Sequence, residues 1–125
     1  MRLLFAIIAT WLVTPMGYAQ EALTTLHGVF TAAEATRGAQ LNEEYCAGCH
    51  EDGYFQDAFL AAWRDQPVSG LFDLLRATMP QDSPGLLTDR EYTDLLAYIF
   101  AQNGLPNGQS QLDPRALDRV VIETP

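Results

Sequence analysis

Two thiols and an imidazole stand together at Cys46, Cys49 and His50, in the run Cys46-Ala47-Gly48-Cys49-His50. At this spacing two sulfurs can add to the two vinyl groups of one porphyrin while the ring that follows reaches the iron from one face. Other chemistries use parts of the same residues. A structural zinc site takes four nitrogen or sulfur ligands, but the chain has 2 Cys and 2 His, and His27 lies far upstream in no paired spacing. A dithiol redox pair uses Cys-x-x-Cys alone, at the start of a helix that follows a strand, where the helix N-terminus lowers a thiol pKa. A disulfide between Cys46 and Cys49 would close a tight loop and constrain little chain. Covalent haem attachment is the reading that uses all three side chains.

An iron held by His50 has a second axial position, and its occupant decides the function. Carriers fill it, commonly with Met, which raises the reduction potential; sensors and oxygen-activating enzymes leave it open. The chain has 3 Met, of which Met1 and Met16 fall in an apolar leader, leaving Met79. A lone Met is ordinarily core filler. Met79 instead sits at the end of a helical pattern, before Pro80, in a loop that can wrap over a porphyrin. The expected cofactor-binding residues are therefore Cys46, Cys49, His50 and Met79, with His50 and Met79 as metal ligands, one haem c per chain and no catalytic residue.

These residues must be positioned by the elements around them. Thr31 and Glu34 form a capping-box pattern, and the Ala-rich stretch that follows predicts a helix from 31 to about 46. The Cys pair thus falls at a helix C-terminus, with Gly48 helping to break the helix, which is the wrong end for a thioredoxin-like pair. Gly38, poor inside a helix, marks a close crossing with another helix. The aromatic, Ala-rich stretch 54–64 predicts a short helix; Trp63 there needs a partner for its indole N–H if buried, either a haem propionate or the core rim. Residues 67–78 predict a further helix capped by Ser69, with Leu71, Phe72, Leu74 and Leu75 along it, ending at Met79 because the residue before a proline leaves the α region. Thr88 and Glu91 form a second capping box. Tyr92, Leu95, Leu96 and Ile99 follow at the spacing of one helix face. Asn103-Gly104 closes that helix and Pro106 prevents its return. Its Leu95/Tyr98 region is the natural partner for Gly38. His27 reads as a surface or packing residue sooner than as a ligand, and Arg64 and Arg76 read as solvated side chains, both weaker candidates for contact with a haem propionate.

The N-terminus has the parts of a secretory signal: Arg2, an apolar run from Leu3 to Val13, Pro15, and small residues at Gly17 and Ala19. Cleavage is expected after Ala19, with an uncleaved anchor as the alternative. The run is too short to span a bilayer, and no later stretch is apolar enough to do so. Export, to the periplasm, would put both Cys in an oxidising compartment where free thiols rarely persist. The formal charge is −9, with no Lys; loss of Arg2 leaves six Arg against 16 acidic residues, or −10. Such a surface repels nucleic acid and anionic lipid and is steered toward a basic patch on a partner protein. The tail 105–125 is turn-rich, with an apolar run at Val120, Val121 and Ile122 that can pack on the domain or on a partner.

From Thr31 to Gly104 the pattern resembles a class I monohaem cytochrome c, through Gly38, the Cys46–His50 motif, Met79-Pro80, and Leu95-Leu96-Ala97-Tyr98 in the final helix. The resemblance implies an all-α domain wrapped around one covalently bound haem, thioether links at Cys46 and Cys49, iron ligation by His50 and Met79, and first and last helices crossing at Gly38. More narrowly, residues 79–85 with Leu105-Pro106-Asn107-Gly108 resemble the cytochrome modules that accompany quinoprotein dehydrogenases. The chain departs from the family at Asn42, where an aromatic is usual, so the crossing should pack through Leu41. No Pro follows His50 before Asp65 to orient the imidazole by its carbonyl, so that support must come from elsewhere.

The resulting organisation is a signal peptide at 1–19, an extended lead-in at 20–30, a cytochrome c domain at 31–104 and the tail. The expected function is a periplasmic, non-enzymatic electron carrier, monomeric or in transient complexes. Its donor would be a dehydrogenase, a quinone-cofactor enzyme among the candidates, and its acceptor an oxidase or another cytochrome. Two alternatives stand beside it: an obligate haem subunit of a dehydrogenase complex, and a haem-based small-ligand sensor with a labile Met79.

Overall fold

Helices α1 (Ala32–Tyr45) and α4 (Asp89–Gln102) cross where α1 has no side chain. A Cβ on Gly38 would lie 1.9 Å from the Asp94 carbonyl oxygen and 2.8 Å from Tyr98 Cβ, so only glycine lets the two backbones approach this closely. Beside the crossing, Arg37 donates through Nε and Nη2 to the two carboxylate oxygens of Asp94, each over 2.7 Å. This forked, charge-assisted pair fixes rotation and register together. Its hydrogen bond to Asp94 raises the Arg37 pKa further. Leu41 is half-buried and packs against the core.

The computed structural model describes residues 22–125; the expected signal peptide at 1–19 lies outside them. Between the crossing helices come the short α2 (Ala58–Ala61) and α3 (Val68–Thr78). The chain is thus mostly helical, as expected, with one small addition: β1 (Leu23–Thr24) pairs in parallel with β2 (Val120–Val121). Both capping boxes form. Thr31 Oγ1 accepts from Glu34 N while the Glu34 carboxylate accepts from Thr31 N, and Thr88 and Glu91 repeat the arrangement. At Glu91 these bonds, the backbone one first, hold the carboxyl below its ordinary range.

One local expectation fails. Ser69 does not cap α3: Pro67 occupies the N-cap, without a side-chain cap, and Ser69 lies inside the first turn. Proline's fixed φ suits the approach to a helix, so the helix starts two residues earlier than a Ser69 cap would start it. Leu74 is 43% exposed and lies off the buried face of α3, which is made by Val68, Leu71, Phe72 and Leu75.

The lead-in and the tail close over one pole. Asp65 N donates to Ile122 O and Ile122 N to Gln66 O, both over 2.9 Å. Thr25 Oγ1 donates to Glu123 O and accepts from Glu123 N. Leu112, Leu117, Val120 and Ile122 are buried, each burial removing apolar surface worth about 1.5–3 kcal/mol. Gly108 lets the tail pass against the lead-in: a Cβ there would sit 2.1 Å from Gly28 O. The fully buried Glu34 joins the parts, since its Oε1 accepts from Leu112 N at 3.1 Å and faces Arg90 Nη2 at 3.3 Å. Among the described residues no helix is long and apolar enough to cross a membrane.

Candidate functional site

The last turn of α1 runs directly into the Cys46–His50 segment. Cys46 is the C-cap, and its N–H and that of Ala47 both converge on Asn42 O, over 2.8 and 2.9 Å. Cys46 O then accepts from Cys49 N at 3.0 Å and His50 N at 2.9 Å, so the segment makes one further compact turn. That turn aims both thiols and the imidazole at one cavity. Gly48 is not required by space, for a Cβ there would meet nothing within 4 Å.

The cavity measures about 530 Å³ and is walled by three elements. The end of α1 and its turn contribute Tyr45, Cys46, Cys49 and His50; α4 contributes Tyr92, Leu95, Tyr98 and Ile99. The C-terminal end of α3 and the loop after it contribute Leu75, Met79 and Pro80. All four residues expected from sequence therefore line a single space of the size that small-molecule and cofactor sites have. Neither Cys is in a disulfide. Burial pushes the Cys46 thiol above its ordinary pKa, and desolvation does the same to the Tyr98 hydroxyl. Among the described residues no cluster of three or more His, Cys, Asp or Glu side chains could hold a metal by itself.

His50 is braced by aromatic rings. Its ring centroid lies 4.1 Å from that of Tyr54 and 5.5 Å from that of Phe55, and Phe55 in turn meets Phe59 edge to face at 5.2 Å. Asn103 holds this cluster. Its Nδ2 donates to Phe55 O and Ile99 O, both at 2.8 Å, and its Oδ1 accepts from Asp57 N at 2.9 Å. Sequence reasoning saw in Asn103 only a helix stop. Met79 is fixed from α4: Tyr92, only 1% exposed, donates its hydroxyl proton to Met79 O over 2.6 Å. The sequence marked Tyr92 only as one residue of a helix face. The available signal was its polar handle on a buried stripe, which demands a partner.

Other candidates lie elsewhere. Trp63 does not line the cavity and packs toward Gly70, where a Cβ would be 3.3 Å from its ring. Arg64 donates to Thr124 Oγ1, and Arg76 pairs with Asp89 at 3.2 Å on the surface. His27 Nδ1 accepts from Thr24 N at 3.0 Å, which completes a cap in the lead-in.

Crossing helices that enclose a cavity with Cys-x-x-Cys-His on its wall define a cytochrome c domain. The family model described as cytochrome c oxidase, cbb3-type, subunit III matches residues 33–99, just over half of the chain, and the chain belongs to this family. No curated protein and no solved structure matches it. Membership bears out the expected monohaem cytochrome c; an association with quinoprotein dehydrogenases is not part of what it shows. The family implies a covalently bound haem c with its iron, haem-based electron transfer and redox partner proteins. Its domains are generally electron carriers and not enzymes.

Proposed function

We propose that this protein is a periplasmic electron carrier with one haem c per chain, attached at Cys46 and Cys49 and ligated by His50 and Met79. The observation that carries the reading is that these four side chains, drawn from two separated segments, line one cavity of about 530 Å³. The donor set fits a c-type haem: two thiols for the vinyl groups, an imidazole and a thioether for the iron. When bound, the haem supplies one-electron exchange between ferric and ferrous iron.

The chain's own residues do the rest. Tyr54 and Phe55 limit the rotation of the His50 ring, and Tyr92 holds the peptide of Met79. Leu75, Leu95 and Ile99 keep the cavity wall apolar. Asp82 lines the cavity and is exposed, as are Glu51 and Asp52 beside the motif. These charges would steer brief encounters with basic patches on a donor dehydrogenase, a quinone-cofactor enzyme among the candidates, and on an oxidase or cytochrome acceptor. Export rests on the Arg2-to-Ala19 pattern, and N-terminal sequencing of the exported protein should begin at Gln20.

The test is the visible spectrum of the exported protein made with haem-attachment machinery. A covalently bound pigment is expected, with the Met–ferric iron band at the red end of the visible range. Met79→Ala should lose that band and bind carbon monoxide rapidly when reduced. Secreted protein without pigment, its thiols joined to each other, would overturn the proposal. Pigmented wild-type protein that lacks the band and binds carbon monoxide quickly would replace the carrier with a small-ligand sensor.

A further inference from the structure

If His50 ligates iron through one ring nitrogen, the other carries a proton that needs an acceptor to fix tautomer and orientation. No proline carbonyl is available for this between Gly53 and Asp65. The rings of Tyr54 and Phe55 pack against the imidazole, with centroids 4.1 and 5.5 Å from its own. Among the described residues one buried side-chain polar atom has no hydrogen-bond partner, Asn42 Oδ1. A buried acceptor without a partner is unfavourable, so the residue asks for a donor.

Asn42 sits one helical turn before Cys46, with its backbone carbonyl tied to the N–H groups of Cys46 and Ala47. Asn42 and His50 line the same small void, with Gln56, Tyr98 and Gln102 among the other walls. Its volume is about 20 Å³, room for one water and no more.

We infer that Asn42 is the positioning residue for the His50 imidazole: the Nδ1–H of His50 donates to a single water held in this void, and that water donates to the Asn42 side-chain oxygen. Support that a loop carbonyl after the motif would give comes here from inside the helix pair. The inference rests on the proposed ligation by His50. It explains why a polar residue stands at a packed helix crossing, where an aromatic would bury more surface.

The experiment uses haem-loaded, ferrous protein with nitrogen-15-labelled histidine. In wild type, the His50 Nδ1 proton is expected to be protected from solvent and to show magnetisation transfer to one bound water and to the Asn42 amide. Asn42→Leu should make that proton exchange about tenfold faster. The same change should shift the midpoint potential upward, because an imidazole without an acceptor donates less to the ferric iron. Asn42→Asp keeps an acceptor and should keep the proton protected. An Asn42→Leu protein that retains pigment and the Met79 band, with exchange and potential both unchanged, would overturn the inference. If that variant does not fold, a wild-type His50 proton with no transfer to Asn42 overturns it equally. Absent pigment or an absent band in the wild type would instead count against the ligation itself.

Discussion

The hydroxyl of Tyr92 reaches across the cavity wall to the carbonyl of Met79, 13 positions earlier in the chain. Tyr92→Phe removes the donor and keeps the ring, leaving a partly buried carbonyl unsatisfied. The expected loss is about 1–2 kcal/mol of stability, measured by thermal unfolding. In the ferric haem protein the red-end band should fade at a lower temperature than in wild type, since the peptide beside the thioether is no longer held. That Cys46, Cys49, His50 and Met79 would come together on one cavity could be anticipated from sequence, because each belongs to a scarce residue type and three of them share a fixed spacing. Tyr92 and Asn103 could not, because their partners are backbone carbonyls and N–H groups, which every residue has. Asn42 was visible only as a departure from a family pattern; the orphaned oxygen that gives it meaning appears once the helices are crossed.

At the scale of elements, the helix pair α1 and α4 depends on one missing side chain. Gly38→Ala must push the Asp94 carbonyl or Tyr98 aside, and no flexible side chain is there to yield to the closest contact. The variant should lose about 1–3 kcal/mol, read by denaturant unfolding, and a shifted α4 should also disturb the cavity wall that Tyr92, Leu95 and Tyr98 provide. Both capping boxes were legible because hydroxyl and carboxylate lie within four residues and the interaction closes locally. The extent of α3 was legible to within a residue but its cap was not, because a hydroxyl at Ser69 looked like a cap while Pro67 occupies the N-cap position. The exposure of Leu74, apolar yet open to solvent, reflects which neighbours are present and not the residue's own hydropathy.

At the scale of the molecule, the tail completes the core. Ile122 is fully buried between the segment before α3 and the lead-in, with both of its backbone polar groups bonded across to Asp65 and Gln66. Ile122→Ala should cost about 2–5 kcal/mol, measured by thermal unfolding. A short apolar run at a chain end gives no hint of what it will cover, so its sequence left both the domain and a partner open. The pairing of β1 with β2 has a practical meaning. It gathers residue 22 and the last residues of the chain near Pro67, the N-cap of α3, while Met79 lies at that helix's other end, about 18 Å away. A tether joined at residue 22 or at the last residues, whether a fused domain or a linker to a surface, would therefore grip the molecule at the end of α3 remote from Met79 and leave the Met79 end uncovered.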